Sequence, residues 1–142
     1  MKLANVFYST GTNGGTLAYQ KLAPTREKAD KLVDERLAAP FPADANNFIY
    51  AWASSASYNP TPLLERITAS LLLINAADDE RNPPETGVTE TALRKVRHGR
   101  LLLIPASDAT RGHATTGMAK FYAGELETFL QAAPRRRPSS GQ

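Results

Sequence analysis

Apolar residues follow two different rhythms along this chain. In the first half they recur at three- and four-residue steps: Ala29, Leu32, Val33 and Leu37 lie on one face of a helix predicted over 26–37, with Thr25 as its cap. Lys28 stands where a capping box needs Glu, so the reciprocal bond is absent. Pro40 and Pro42 end that helix, because a proline disfavours helical geometry in the residue before it. Asp44 caps a second predicted helix over 44–54, apolar at Phe48, Ile49, Ala51 and Trp52. A polar connector over 55–62 leads to a helical turn or two ending near Ile67.

From residue 71 the rhythm changes. Leu71-Leu72-Leu73-Ile74 and Leu101-Leu102-Leu103-Ile104 are unbroken apolar runs bounded by turn residues, which predicts strands buried on both faces. Between them, Leu93 and Val96 mark a helix over 88–96, so strand, helix, strand reads as a right-handed crossover between parallel neighbours. Met118, Phe121, Tyr122, Leu126, Phe129 and Leu130 share one face of a last helix over 115–132, stopped by Pro134. The N-terminus is less regular. Val6-Phe7-Tyr8 is compatible with a short strand, and Gly11-Thr12-Asn13-Gly14-Gly15 reads as a plain loop, since no Gly-Lys-Ser/Thr follows to make it a phosphate loop.

Composition changes this picture little. At 142 residues, 42% hydrophobic and 22% charged, the chain suits one domain with a core. Its net charge of +3 resides in Arg135-Arg136-Arg137 of a Pro/Ser/Gly tail; without them basic and acidic residues balance. We read the tail as a solvated end, not a nucleic-acid contact. No cysteine is present, which excludes disulfides, thiolate metal sites and a cysteine nucleophile. No apolar run approaches the roughly 18 residues of a membrane span, and the N-terminal run is too short for a secretory signal, so a cytoplasmic location is expected.

Chemistry concentrates just past the two strands. In parallel α/β sheets functional residues gather at the carboxyl ends of strands. Asp78 and Asp79 follow the first strand, and His113 lies in the loop after the second. A carboxylate that accepts from one imidazole nitrogen fixes the tautomer, leaving the other nitrogen as a general base. The plainer readings are a turn or cap carboxylate at Asp79 and a surface loop histidine at His113. His98, in a helix-to-strand turn, carries no functional expectation. The aromatics around Trp52 read as packing, with a pocket wall as the alternative.

LLLINAADDERNPPE at 71–85 followed by LLLIPASDATRGHATTG at 101–117 resembles the last two strands of α/β-hydrolases, most closely the homoserine O-acetyltransferase-like branch. APTREKADKLVDERL at 23–37 and DANNFIYAWASSASYNP at 44–60 resemble the helical lid of that branch, so the likeness covers roughly residues 20–130. It implies a partial α/β-hydrolase fold, with a helical lid portion at 20–68 and the last two parallel strands with their helices at 69–133; the residues themselves read as an irregular segment at 1–19 and a disordered basic tail at 134–142. It also implies Asp79, four residues before Pro83, as the triad acid, with Asp78 its solvated or turn-forming neighbour, and His113 in RGHATTG as the triad histidine.

The departure from the family is the nucleophile. It belongs on a G-x-S-x-G elbow that exposes the hydroxyl and forms the oxyanion hole, and no glycine pair flanks any serine here. Ser107 and Ser9 would be the first serines to examine if the chain proved active alone. The upstream strands of the family are missing too, which leaves the first strand without its other neighbour and favours association. The expectation is therefore an acyltransferase- or esterase-derived fragment, inactive alone, with a small acyl ester or acyl-CoA implied as substrate by resemblance. No metal or cofactor is expected. The expected partner is a chain supplying the missing strands, or another copy in a homo-oligomer. One half of a split hydrolase, or a non-catalytic binding or regulatory module, are the alternatives.

Overall fold

A computed structural model describes residues 2–12, 15–41 and 43–134; the expected disordered tail, apart from Pro134, lies outside the described residues. The chain is mixed α/β. Four helices come first, α1 (Lys2–Thr12), α2 (Gly15–Leu22), α3 (Arg26–Ala38) and α4 (Ala45–Ala53), then a 3-10 turn at Thr61–Arg66. Strand β1 (Leu71–Ala76), helix α5 (Val88–Leu93) and strand β2 (Gly99–Ile104) follow, and after two 3-10 turns the description closes with α6 (Ala123–Ala132).

The two apolar runs pair in parallel, from Leu71 opposite Gly99 to Ala76 opposite Ile104. Leu71 N donates to His98 O at 3.0 Å and Ala77 N to Ile104 O at 2.9 Å, so the ladder continues past both ends. Their burial differs from expectation. Asn75, Ala76 and Ile104 are buried, but the leucines before them are only half-buried and Leu103 is 37% exposed. A two-stranded sheet has two edges, and the N-terminal helices pack elsewhere: α1 lies against α2, α3 and the 3-10 turn at Gly112–Gly117. Among hydrophobic residues, only Ala76, Val96 and Ile104 of those described fall in the buried class.

Local chemistry accounts for the helices that match their prediction. Thr25 accepts from Lys28 N at 3.3 Å, and Asp44 accepts from the amides of Asn46 and Asn47 at 3.0 and 2.9 Å, as N-caps do. Phe48 meets Phe41 at 5.5 Å and Trp52 at 6.2 Å between ring centroids, with Tyr8 of α1 edge-on to both Phe48 and Trp52 at 6.4 Å. Trp52 thus packs in an aromatic cluster that joins α4 to α1.

Three expectations are corrected. Residues 1–19, read as irregular with a possible strand at Val6-Phe7-Tyr8, fold as α1 and the start of α2 wherever they are described. Leu3, Val6 and Phe7 in fact sit at helical spacing, which the short β-like run obscured. The helix predicted over 88–96 ends at Leu93, and turns carry the chain to Gly99. The last helix begins at Ala123, not near residue 115. Thr115 and Thr116 use their hydroxyls locally, accepting from Arg111 N at 2.7 Å and donating to His113 O at 2.9 Å, in competition with helical bonding. Among the described residues no helix is long and apolar enough to cross a membrane.

Candidate functional site

Both loops that carry the candidate chemistry leave the same end of the parallel pair. Beyond β1 the chain turns through Asp78 and Asp79. Asp79 is 1% exposed, a costly position for a carboxylate unless every lone pair is used. Its Oδ1 accepts from the amides of Arg81 at 2.8 Å and Asn82 at 3.2 Å. Its Oδ2 lies 2.9 Å from His113 Nδ1, and Asn82 Nδ2 approaches the same oxygen at 3.4 Å. Asn75, the penultimate residue of β1, donates from Nδ2 to Asn82 O at 2.9 Å and ties the loop back to the strand. Burial alone would push the Asp79 carboxyl up; the hydrogen bonds from His113, Arg81 and Asn82, with the attraction of the imidazole, outweigh it and hold the group below the usual carboxylate range.

An ionised Asp79 only accepts, so Nδ1 of His113 carries the proton between them. The opposite nitrogen, Nε2, has no hydrogen-bond partner among the described residues, and the side chain is 32% exposed. This is the arrangement in which an imidazole can take a proton from a hydroxyl presented to it.

His113 is held by its own loop. Thr115 is fully buried, and its hydroxyl accepts from Arg111 N. Tyr122 donates to Thr116 O at 3.0 Å, bracing the turn from the far side. Gly112 adopts φ 51°, the left-handed region that favours glycine. Its amide donates to Asp78 Oδ2 at 3.1 Å, and the buried Thr110 hydroxyl donates to the same oxygen at 2.8 Å. Asp78, expected as a solvated or turn-forming neighbour, is half-buried. It bonds directly to the histidine loop, and its Oδ1 is buried with no partner among the described residues. Thr110, Thr115 and the clamping role of Asp78 escaped the sequence reading; the glycine immediately before His113 was the available signal.

None of the remaining candidates bonds to the pair among the described residues. His98 is exposed and contributes its carbonyl to Leu71. Ser107 Oγ accepts from Ala109 N at 3.3 Å, and Ser9 O accepts from Tyr19 Oη at 2.9 Å. No described hydroxyl bonds to His113 Nε2, and no described cluster of three His, Asp or Glu side chains could hold a metal. A cleft of about 750 Å³ opens beside the pair between α2 and residues 106–111; Asp78 lines it, whereas Asp79 and His113 do not. Glu80 accepts from Thr16 N at 2.7 Å, and the Arg81 guanidinium lies 5.5 Å from the Tyr8 ring and 5.7 Å from Trp52, so the two residues after Asp79 touch the N-terminal helices. No family model, curated protein or solved structure matches the chain.

Proposed function

We propose that this chain carries the acid and general base of an α/β-hydrolase-type acyl-transfer site, Asp79 and His113, and that it is inactive until another polypeptide supplies the nucleophile. The observation that carries this reading is the buried Asp79 carboxylate, every oxygen bonded, 2.9 Å from Nδ1 of a histidine whose other nitrogen is unpartnered among the described residues. In such a site Nε2 takes the proton of a serine hydroxyl as it attacks an acyl carbonyl, and returns it to the leaving group. Asp79 holds the tautomer and stabilises the imidazolium formed on the way. The chain has no nucleophile elbow, so neither attack nor oxyanion stabilisation is available from these residues.

The reaction class is transfer or hydrolysis of a small acyl group, and the homoserine O-acetyltransferase-like branch is the narrowest assignment the residue patterns support. The two-stranded sheet and its half-buried leucines support a partner that adds strands.

The test is complementation. The chain is mixed with an α/β-hydrolase core that keeps its elbow serine but ends before its own acid strand, and turnover of p-nitrophenyl acetate is followed. The chain alone should give the same background rate as its His113→Ala variant. The mixture should gain turnover that Asp79→Asn and His113→Ala both abolish. Full turnover in either variant, or turnover by the chain alone that depends on His113, would remove the proposal.

A further inference from the structure

The cleft beside the pair has a lining that the acid–base reading does not use. Three cationic side chains border it: Lys21 from α2, Arg36 from α3 and Arg111 from the histidine loop. Lys21 is already paired, bridging the cleft mouth to Asp108, an exposed contact of little strength. Arg36 and Arg111 have no carboxylate partner among the described residues. Arg36 is half-buried, its guanidinium carbon 4.6 Å from the Tyr19 ring centre, with one donor on the Tyr19 hydroxyl. A guanidinium has five donors, and a partly desolvated one lacking a counter-charge favours an anion in reach of the rest. Leu17, Ala18 and Leu22 add apolar surface to the lining.

From this lining we infer that the cleft binds a small organic monocarboxylate, its head between Arg36 and Arg111 and its apolar body along Leu17 and Leu22. The volume of about 750 Å³ suits a small-molecule site. A monoanion fits better than a phosphate dianion because two carboxylates, Asp78 and Asp108, also stand in the lining, and each would repel a second negative charge. Asp78 is engaged through Oδ2 with Thr110 and Gly112, so an occupied cleft would touch the residue that bonds the histidine loop. The inference is independent of the acyl-transfer proposal, since neither Asp79 nor His113 lines the cleft.

Titration of the full ¹⁵N-labelled chain with hexanoate at neutral pH tests it, with 1-hexanol and hexylamine as neutral and cationic probes of equal length. Hexanoate should produce saturable shifts in the amides of residues 17–22 and 106–111. Hexanol should bind at least tenfold more weakly and hexylamine not at all. Arg111→Gln and Arg36→Gln should each weaken hexanoate at least tenfold, the loss of one charge-assisted contact. Because Arg36 also packs on Tyr19, Arg111→Gln decides the matter if the Arg36 variant unfolds. Equal binding of hexanol, unchanged affinity in Arg111→Gln, or no saturable response to hexanoate would each overturn the inference.

Discussion

Replacing Asp79 by Asn keeps the shape of the side chain and inverts its hydrogen-bond logic. The carboxylate receives donors on both oxygens: two amides on Oδ1, and His113 Nδ1 with Asn82 Nδ2 on Oδ2. An amide has one oxygen, and the two backbone donors cannot turn away, so that oxygen stays with Arg81 and Asn82 while the new NH₂ faces His113. The imidazole can then satisfy the NH₂ only by presenting a bare Nδ1, which moves its proton to Nε2. Two amide bonds drop from charge-assisted to neutral strength, each worth about 1 kcal/mol less, and the variant should be destabilised by about 2 kcal/mol in urea unfolding. Long-range ¹H–¹⁵N correlation on histidine-labelled protein at about pH 8, above the ordinary imidazole range, reads the tautomer directly. The native chain should show a protonated Nδ1 and a pyridine-type Nε2, and Asp79→Asn should exchange them. A native spectrum with the proton on Nε2 would refute the reasoning, and with it the general-base role.

Acid should reveal the same carboxylate. The folded Asp79 carboxyl lies below its ordinary value, so on acidification the unfolded chain binds that proton first. Its contribution is fully present above the ordinary carboxylate value of about 3.9 and is lost as pH falls through the folded value; urea unfolding at stepped pH should show a decline below about pH 4 that is shallower in Asp79→Asn. Gly112→Ala forces a side chain into φ 51° and should cost about 1–2 kcal/mol in stability while displacing the Asp78 bond and blurring the His113 tautomer; an unchanged melting temperature would count against the clamp. Arg81→Ala removes the cation over Tyr8 and Trp52 but keeps the amide that bonds Asp79. Trp52 emission should change, stability should fall by about 0.5–1 kcal/mol, and the His113 tautomer should be retained.

What could be read from residues alone was whatever a local rule decides. The two apolar runs, the caps at Thr25 and Asp44, and the prolines that end α3 are short-range effects, and those elements form where the pattern put them. The pairing of Asp79 with His113 was reachable because parallel strands carry their following loops to one end. Three things were out of reach for the same physical reason. In α1 the helical spacing of Leu3, Val6 and Phe7 is overlain by a β-like run, and Leu3 and Phe7 remain largely exposed. The delayed start of α6 comes from hydroxyl bonds of Thr115 and Thr116, whose geometry depends on where the histidine loop folds back. The role of Asp78 depends on contacts with residues more than thirty positions away, which no window on the chain contains.

A preformed acid–base pair without a nucleophile is physically reasonable because the pair closes on itself. Every bond to the Asp79 carboxylate among the described residues comes from Arg81, Asn82 or His113, and Asn75 ties that loop to β1. The bonds that shape the histidine loop come from Asp78, Thr110, Thr115, Thr116 and Tyr122. All of these lie between residues 75 and 122, on the two strands and the loops that leave them. The N-terminal helices also touch these loops: α1 lies against the turn that holds His113, Arg81 stands over Tyr8 and Trp52, and Thr16 and Lys21 meet Glu80 and Asp108. An acid and base organised this locally do not need the rest of a catalytic sheet to be aligned. Under the proposed function, what they need from elsewhere is a hydroxyl within reach of Nε2, and the strand edges would give a partner a place to bring one.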